Sequence, residues 1–321
     1  MSLSISIVTA CYNSTPFLER VHKSLVQQTY RNFEWICVDD RSTDDTVSRL
    51  MALPAPGELG MQVYQLPQNT GGPVALAMGT KVAKGSAIIW LDHDDELFPE
   101  ALDTARTNWR MVDIVRGDAG LLLRASDPTS GMMIGRKLST GNRLTWREIS
   151  DQYPDISDGT FVFRADLLRE FGSVERMEAL NLNGVIYAEL TREHPLVVTN
   201  SSVRYYHRDN PESQTRLERV SRKSVATYAR MFDGADWHAA LDPGRWTRHL
   251  VTMFRYSKLV YGRHSAALGH ITRWPRKLIA SALLPLGIFV RYRNSNEVLV
   301  DVPYFDPRLA EGLPDLRSAA P

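Results

Sequence analysis

The feature that most narrows what this chain can fold into is the alternation in its first hundred residues. Short apolar runs rich in β-branched residues lie at 4–10 (SISIVTA), 33–38 (FEWICV), 62–66 (QVYQL) and 87–91 (AIIWL). Between them fall stretches of helical spacing: 17–28 with Phe17, Val21 and Leu25 on one stripe, a second running through Leu50, and 74–83. Continuous apolar runs of this length suit strands buried on both faces. Strand–helix–strand repetition predicts βαβ units and an α/β fold, a Rossmann-like, mostly parallel sheet covered by helices. Ligands bind such sheets beyond the carboxyl ends of the strands. That rule gathers residues 9–13, Asp39-Asp40, residues 69–72 and residues 92–95 on one rim.

From about Gly117 the pattern loosens. Strands are expected at 121–124, 160–164, 196–199 and 203–206, with a helix at 165–171 closed by Gly172. Helical spacing returns at 213–232 and 246–261. The expected organisation is a main domain over 1–212, divided near 105, then a helical basic extension over 213–300. A tail over 301–321, holding Pro303, Pro307, Pro314 and Pro321, is expected to be irregular and poorly ordered. Hydrophobic residues at 43% and charged ones at 23% exclude disorder as the main state. Cys11 and Cys37, the only cysteines, sit inside apolar runs and read as small buried hydrophobes, which excludes a disulfide scaffold. The first ten residues lack the basic start of a signal peptide, and no run reaches the roughly 18 apolar residues of a membrane span. A soluble or surface-bound, cytoplasmic protein is expected.

Four strand-end motifs carry chemistry. In Asp92-His93-Asp94-Asp95, carboxylates one residue apart can share a hard divalent cation that also binds phosphate oxygens. Taken alone the pattern equally suits a solvated turn opening a helix. After Val38-Asp39-Asp40-Arg41, Ser42 is a possible helix N-cap, with Asp45 three residues on completing an approximate capping box. At the end of the first strand, Tyr12 could stack on a base. The turn Asn69-Thr70-Gly71-Gly72 leads into a helix whose N-terminus could face a phosphate. No Gly-x-Gly-x-x-Gly turn follows the first strand, which disfavours a nicotinamide oxidoreductase. A nucleotidyltransferase is disfavoured because its glycine-rich, basic phosphate loop is replaced by Ala10-Cys11-Tyr12-Asn13.

Jointly, in this order and spacing, the motifs resemble those of the family 2 glycosyltransferases, which have the A-type glycosyltransferase fold. The segment SISIVTACYNSTPFLERVHKSLVQQTYRNFEWICVDDRSTDDT resembles that family's opening, and NTGG followed by AIIWLDHDDELFPEAL its later metal-binding strand end. The likeness is tight over 4–105 and looser to about 210. It implies a donor-binding half at 1–105 and an acceptor-side half at 106–212. Asp40 would contact the nucleotide base, with Tyr12 stacking nearby and Thr9 and Gly71 lining the nucleotide site. Asp92 would sit by the ribose, and Asp94 would bind Mg²⁺ or Mn²⁺ bridging the donor diphosphate. The implied activity is inverting, metal-dependent transfer of a sugar from a nucleotide donor, UDP-linked, to a hydroxyl of a glycan or lipid-linked glycan.

Two positions depart from the family pattern. Ala75-Leu76-Ala77 stands where members commonly carry an Arg-Asn pair. The Glu-Asp pair that usually supplies the catalytic base is missing from residues 177–189, so one of Asp158, Glu178 or Glu189 is expected to serve, Asp158 preferred. His207 could also reach the site. A non-catalytic nucleotide-sugar-binding module that has lost its base is the alternative.

The net charge of +1 conceals an asymmetry. Between Arg245 and Arg293 there are ten Lys and Arg and no acid. Arg245, Arg248, Arg255, Lys258 and Arg263 flank an apolar face of Trp246, Leu250, Met253, Phe254 and Tyr261. The thirteen residues 278–290 (LIASALLPLGIFV) are nearly apolar and bracketed by Arg273, Arg276, Lys277, Arg291 and Arg293. This region suits an anionic membrane surface at the inner face, or packing on the catalytic domain or a second subunit of a homo-oligomer. No nucleic-acid motif accompanies the charge.

Overall fold

The computed structural model describes residues 3–156, 158–173, 183–207 and 209. Further on it describes 218–220, 225, 228–229, 250, 252–258, 261, 263–271, 277, 280–281, 297–299, 309 and 312–318. The chain divides into two compact units: Met1–Glu178, Ile186–Asp209 and Tyr304–Pro321 form the first, Ala179–Val185 and Asn210–Pro303 the second.

The first unit is built on β1 (Ile5–Cys11), β2 (Phe33–Asp39), β3 (Met61–Gln65), β4 (Ala87–Trp90), β5 (Glu96–Leu97), β6 (Gly120–Ser126), β7 (Arg143–Leu144), β8 (Thr160–Arg164) and β9 (Leu196–Tyr205). Their order is β3-β2-β1-β4-β8-β6-β9-β5, with β7 also on β9. The first four strands are parallel, joined by α1 (Leu18–Val26), α2 (Thr46–Ala52) and α3 (Gly72–Val82), as the alternation predicts. Beyond β4 the sheet becomes mixed. β8 runs antiparallel to both β4 and β6, β6 and β9 are parallel, and β5 and β7 are antiparallel to β9. The runs expected at 196–199 and 203–206 form one strand, whose pairing with β6 shifts register between Leu122 and Ala125.

Both faces of the parallel half are buried, which is why its strands are apolar throughout. On one face Ile5, Ile7, Trp35, Cys37 and Val63 pack with Val21, Leu25 and, from α4 (Ala101–Trp109), Leu102. On the other, α3 lies so close that a Cβ on Gly79 would come within 2.3 Å of a Val8 methyl. Cys11 and Cys37 are buried free thiols.

The tail over 301–321 is described only at 309 and 312–318. Among its described residues, 312–318 lie along β3, the strand at the sheet's edge. The Asp315 carboxylate accepts from the Val63 N–H (3.0 Å), and the Leu316 N–H donates to the Val63 carbonyl (2.8 Å). Leu316 packs on the core, and Arg317 Nη1 donates to the carbonyls of Leu50 (3.3 Å) and Leu53 (2.7 Å) at the end of α2. Pro314 interrupts a continued helix or strand there, and side-chain and main-chain anchors hold the segment without one.

The second unit has its own core. Leu250, Met253 and Phe254, expected as an apolar helix face, are buried with Val225, Ala229, Tyr256, Ala267, Ile271 and Ala280. Two short strands, β10 (Glu218–Val220) and β11 (Glu297–Leu299), pair in parallel. Of the apolar run 278–290, only Ala280 and Ser281 are described. No helix among the described residues is long and apolar enough to cross a membrane.

Candidate functional site

The register of the parallel strands sets the rim. β1 pairs with β2 as far as Cys11 opposite Asp39, and with β4 as far as Val8 opposite Trp90. The β1, β2 and β4 ends therefore emerge side by side. The first two are tied by side chains. Asn13 takes the left-handed conformation (φ 50°), tolerable for Asn, and its Oδ1 accepts from the Thr43 N–H (2.9 Å) and hydroxyl (3.2 Å). Its own N–H donates to Ser42 Oγ (2.9 Å).

This network corrects the expected capping box. The Ser42 hydroxyl and N–H both donate to the fully buried Asp39 carboxylate, leaving Ser42 no helix end to cap. Helix α2 starts at Thr46, where Asp44 accepts from the Thr46 N–H (3.0 Å). Thr9 is also placed differently from expectation. Its Oγ1 accepts the Trp35 indole N–H (3.0 Å) and the residue is fully buried, so it belongs to the core rather than lining the rim. Tyr12 lies half-buried at the end of β1.

Asp40 reaches across to the turn before α3. Its Oδ1 accepts from the Thr70 N–H (2.7 Å) and hydroxyl (2.9 Å), and its Oδ2 from the Gly71 N–H (2.7 Å). Gly71 has φ 92°, which glycine alone adopts without strain. Its N–H is thus committed to Asp40 and is not offered to a phosphate. Burial pushes the Asp40 carboxyl up to about 6, although the three hydrogen bonds favour its charged form. A carboxylate has about four acceptor sites, so one remains open, on Oδ2.

The acid turn follows β4. Asp92 is exposed, and its carboxylate makes no hydrogen bond with any described residue. Desolvation by the surrounding protein and the neighbouring Asp94 charge raise its pKa, against the pull of Arg204 and His93. The rest of the turn is held from afar. Arg20 Nη2 donates to the Asp94 carbonyl (2.6 Å), and the same guanidinium pairs with Asp209. Asp95 is buried and paired with Arg204; burial pushes its carboxyl up to about 7, with Arg204 pulling the other way. Glu96 pairs with His207 (2.8 Å), and the His93 Nδ1–H donates to the Ala10 carbonyl (3.3 Å).

Among the described residues no group of three or more His, Cys, Asp or Glu is placed to hold a metal. Asp92 and Asp94 are hard oxygen donors close enough to repel each other, and a divalent cation relieves such repulsion. One or two carboxylates completed by phosphate oxygens is an ordinary Mg²⁺ environment, so the donor set fits.

The residues expected as candidate bases divide. Asp158 precedes β8 and is exposed, and its carbonyl accepts from Arg204 Nη2 (2.8 Å), which brings it to the acid turn. Glu189 lies on α5 (Asn183–Leu190), two residues beyond Tyr187 and therefore on another side of that helix. Glu178 lies outside the described residues. The Tyr187 ring stacks on Phe161 (4.4 Å) and meets Trp146 edge-on (5.1 Å). Burial and the Asp92 charge raise its phenol pKa, so it stays protonated.

Sequence reasoning missed Arg20, Arg204 and Tyr187. Arg20 and Arg204 sit in helix and strand patterns that explain them as exposed charges, and only the β5–β9 pairing reveals Arg204's partner. His207 was noticed, but its pairing with Glu96 was not.

The profile of Glycosyl transferase family 2 matches residues 6–172. The chain belongs to this family. Among its relatives, a poly(ribitol-phosphate) beta-glucosyltransferase of Bacillus spizizenii is 39% identical over 103 residues, 31% of this chain and 16% of that protein. Glycosyltransferase GlyG of Streptococcus pneumoniae is 35% identical over 105 residues, 32% of this chain and 34% of that protein. The matched stretches thus span well under half the length of these relatives. Crystal structures of S. aureus TarS 1-349 share the fold, with TM-scores of 0.55 alone, 0.54 with UDP and 0.56 with UDP-GlcNAc. Each covers 89% of both chains at 17–18% identity. The architecture is the A-type glycosyltransferase fold.

Proposed function

We propose that this protein transfers a sugar from a nucleoside diphosphate donor, UDP-linked, to a hydroxyl of a glycan or lipid-linked glycan, with metal dependence and inversion at the anomeric carbon. The observation that carries this reading is the presence of two carboxylates on one rim: Asp40, locked with one acceptor site open, and Asp92, exposed and without a hydrogen bond to any described residue. The same fold in TarS has been crystallised with UDP and with UDP-GlcNAc.

In this reading Asp40 Oδ2 accepts a base N–H, Tyr12 stacks on the base, and Asp92 takes a ribose hydroxyl. Asp94 would hold Mg²⁺ or Mn²⁺, with Asp92 beside it. A divalent cation there supplies charge neutralisation for the departing diphosphate. Asp158 is the base that takes the proton from the acceptor hydroxyl, since its carboxyl is exposed on the rim. Tyr187, held protonated, can only donate a hydrogen bond.

The test is a panel of nucleotide sugars with Mn²⁺, followed by assay for free nucleoside diphosphate. Release, even slow hydrolysis without acceptor, identifies the donor and supports the transferase. Tight binding with neither release nor transfer favours the non-catalytic module, which the missing Glu-Asp pair makes the second reading. No nucleotide binding overturns both. Attachment to an anionic membrane through 278–290 and its basic brackets belongs to the same proposal. Salt-sensitive co-sedimentation with anionic but not neutral vesicles supports it, and none with either overturns it.

A further inference from the structure

We propose that Arg204 is a positioning residue that sets the distance between the acid turn and the loop carrying Asp158. The inference rests on the functional reading above for what that distance does, but the contacts stand without it. Arg204 Nη1 pairs with the Asp95 carboxylate on one side. Nη2 donates to the carbonyl of Asp158 (2.8 Å) and reaches that of Gly159 (3.5 Å) on the other. The guanidinium lies over the Tyr206 ring at 5.3 Å, and the side chains of Arg204 and Asp95 are only 7% and 8% exposed.

Three segments distant in sequence therefore meet on one planar cation. The turn after β4 contributes a carboxylate, the segment before β8 contributes two carbonyls, and β9 supplies the fork. The loop is also backed by β6. A Cβ on Gly159 would come within 2.3 Å of the Leu122 side chain and 2.5 Å of the Leu123 carbonyl. Arg204 thus fixes the Asp158 main chain from one side while β6 fixes it from another, and the Asp158 carboxylate remains exposed. Only a guanidinium can do this. Its donors diverge in a rigid plane, whereas an ammonium is a point charge on a flexible stem.

Arg204→Lys keeps a cation for Asp95 but cannot also hold both carbonyls. Displacing a reacting group by about 1 Å can cost roughly 10²-fold in rate. The expected result is turnover lower by about that factor, with donor KM unchanged within about threefold. Amide hydrogen exchange at 158–160 should quicken at least about tenfold, while Thr70 and Gly71 keep wild-type rates. If Arg204→Lys does not fold, Tyr206→Leu removes the ring beneath the guanidinium and should give the same pattern, smaller. Wild-type turnover with wild-type exchange at 158–160 overturns the proposal. So does loss of donor binding in step with turnover, which would make Arg204 part of the donor site. If the wild type transfers no sugar from any donor, the transferase reading falls, and the exchange rates alone decide the tether.

Discussion

Two buried carboxylates of the same rim are held in opposite ways. Asp40 is held by neutral donors, Thr70 and Gly71, about thirty residues away in a motif of its own half. Asp95 is held by a cation 109 residues away, on a strand of the other half. The first arrangement is short-range and leaves an acceptor site open, as a ligand-binding group needs. The second is long-range and satisfies the carboxylate within the protein, as a strut between segments needs. The Asp40 end of the rim is thus assembled by local loops, and the acid turn by the whole sheet.

The sharpest way to divide the two ends is Asp94→Asn. If the metal belongs to the acid turn and the nucleobase contact to Asp40, this variant should lose metal-dependent nucleotide binding while remaining folded. Calorimetry with UDP and Mn²⁺ checks it, and unchanged Mn²⁺-dependent binding breaks the assignment. Next is Asp158→Ala, which should lower turnover by two to four orders of magnitude, the usual worth of a general base, with donor binding kept. Steady-state kinetics beside UDP titration separates the two.

Stability tests the modes of holding directly. Asp95→Asn leaves the Arg204 charge buried and unpaired, an expected loss of about 3–5 kcal/mol. Asp40→Asn replaces an acceptor oxygen with an amide that cannot accept, an expected loss of about 1–3 kcal/mol. Urea unfolding of the pair gives the order, and equal losses would erase the distinction.

The mildest test is pH. Asp40 titrates near 6 in the folded chain, above the ordinary 3.8. Raised in the fold, it binds its proton there more tightly than in the unfolded chain. Its contribution is therefore most favourable below about 4 and is lost as pH rises through 6, by about 3 kcal/mol in all. Nucleotide binding runs the other way. A base N–H needs the ionised carboxylate, so UDP affinity should fall as pH drops through 6, approaching tenfold per unit. Asp40→Asn should flatten that dependence, and a flat wild-type profile from pH 5 to 7 would remove Asp40 from the base contact.

How much was legible follows the same divide. The parallel half could be read because burial on both faces leaves unbroken apolar runs, and strand ends then fall beside one another by rule. Asp40, Asp92 and Asp94 were visible as acids closing such runs. The direction of the Thr9 side chain was not, because a threonine at a strand end gives no sign of the Trp35 indole waiting on one face. Nor was the Ser42 hydroxyl, which has two acceptable partners in any sequence and takes Asp39. Arg204 was hidden most completely. Its meaning depends on β9 lying beside β6 and β5, a pairing between segments about eighty and a hundred residues apart in the chain, which leaves no local periodicity to read.

The segment at 312–318 bears on solubility. β3 is the sheet's open border, and an uncovered border strand invites the same strand of another molecule to pair with it. Asp315 and Leu316 occupy the Val63 groups that such a neighbour would use, and Arg317 closes the helix end alongside. They do so without forming a strand, so they offer no new border in turn. A chain cut after Glu311 should therefore fail first by self-association at rising concentration, before any loss at the rim, because what it has lost is a built-in guard against its own copies.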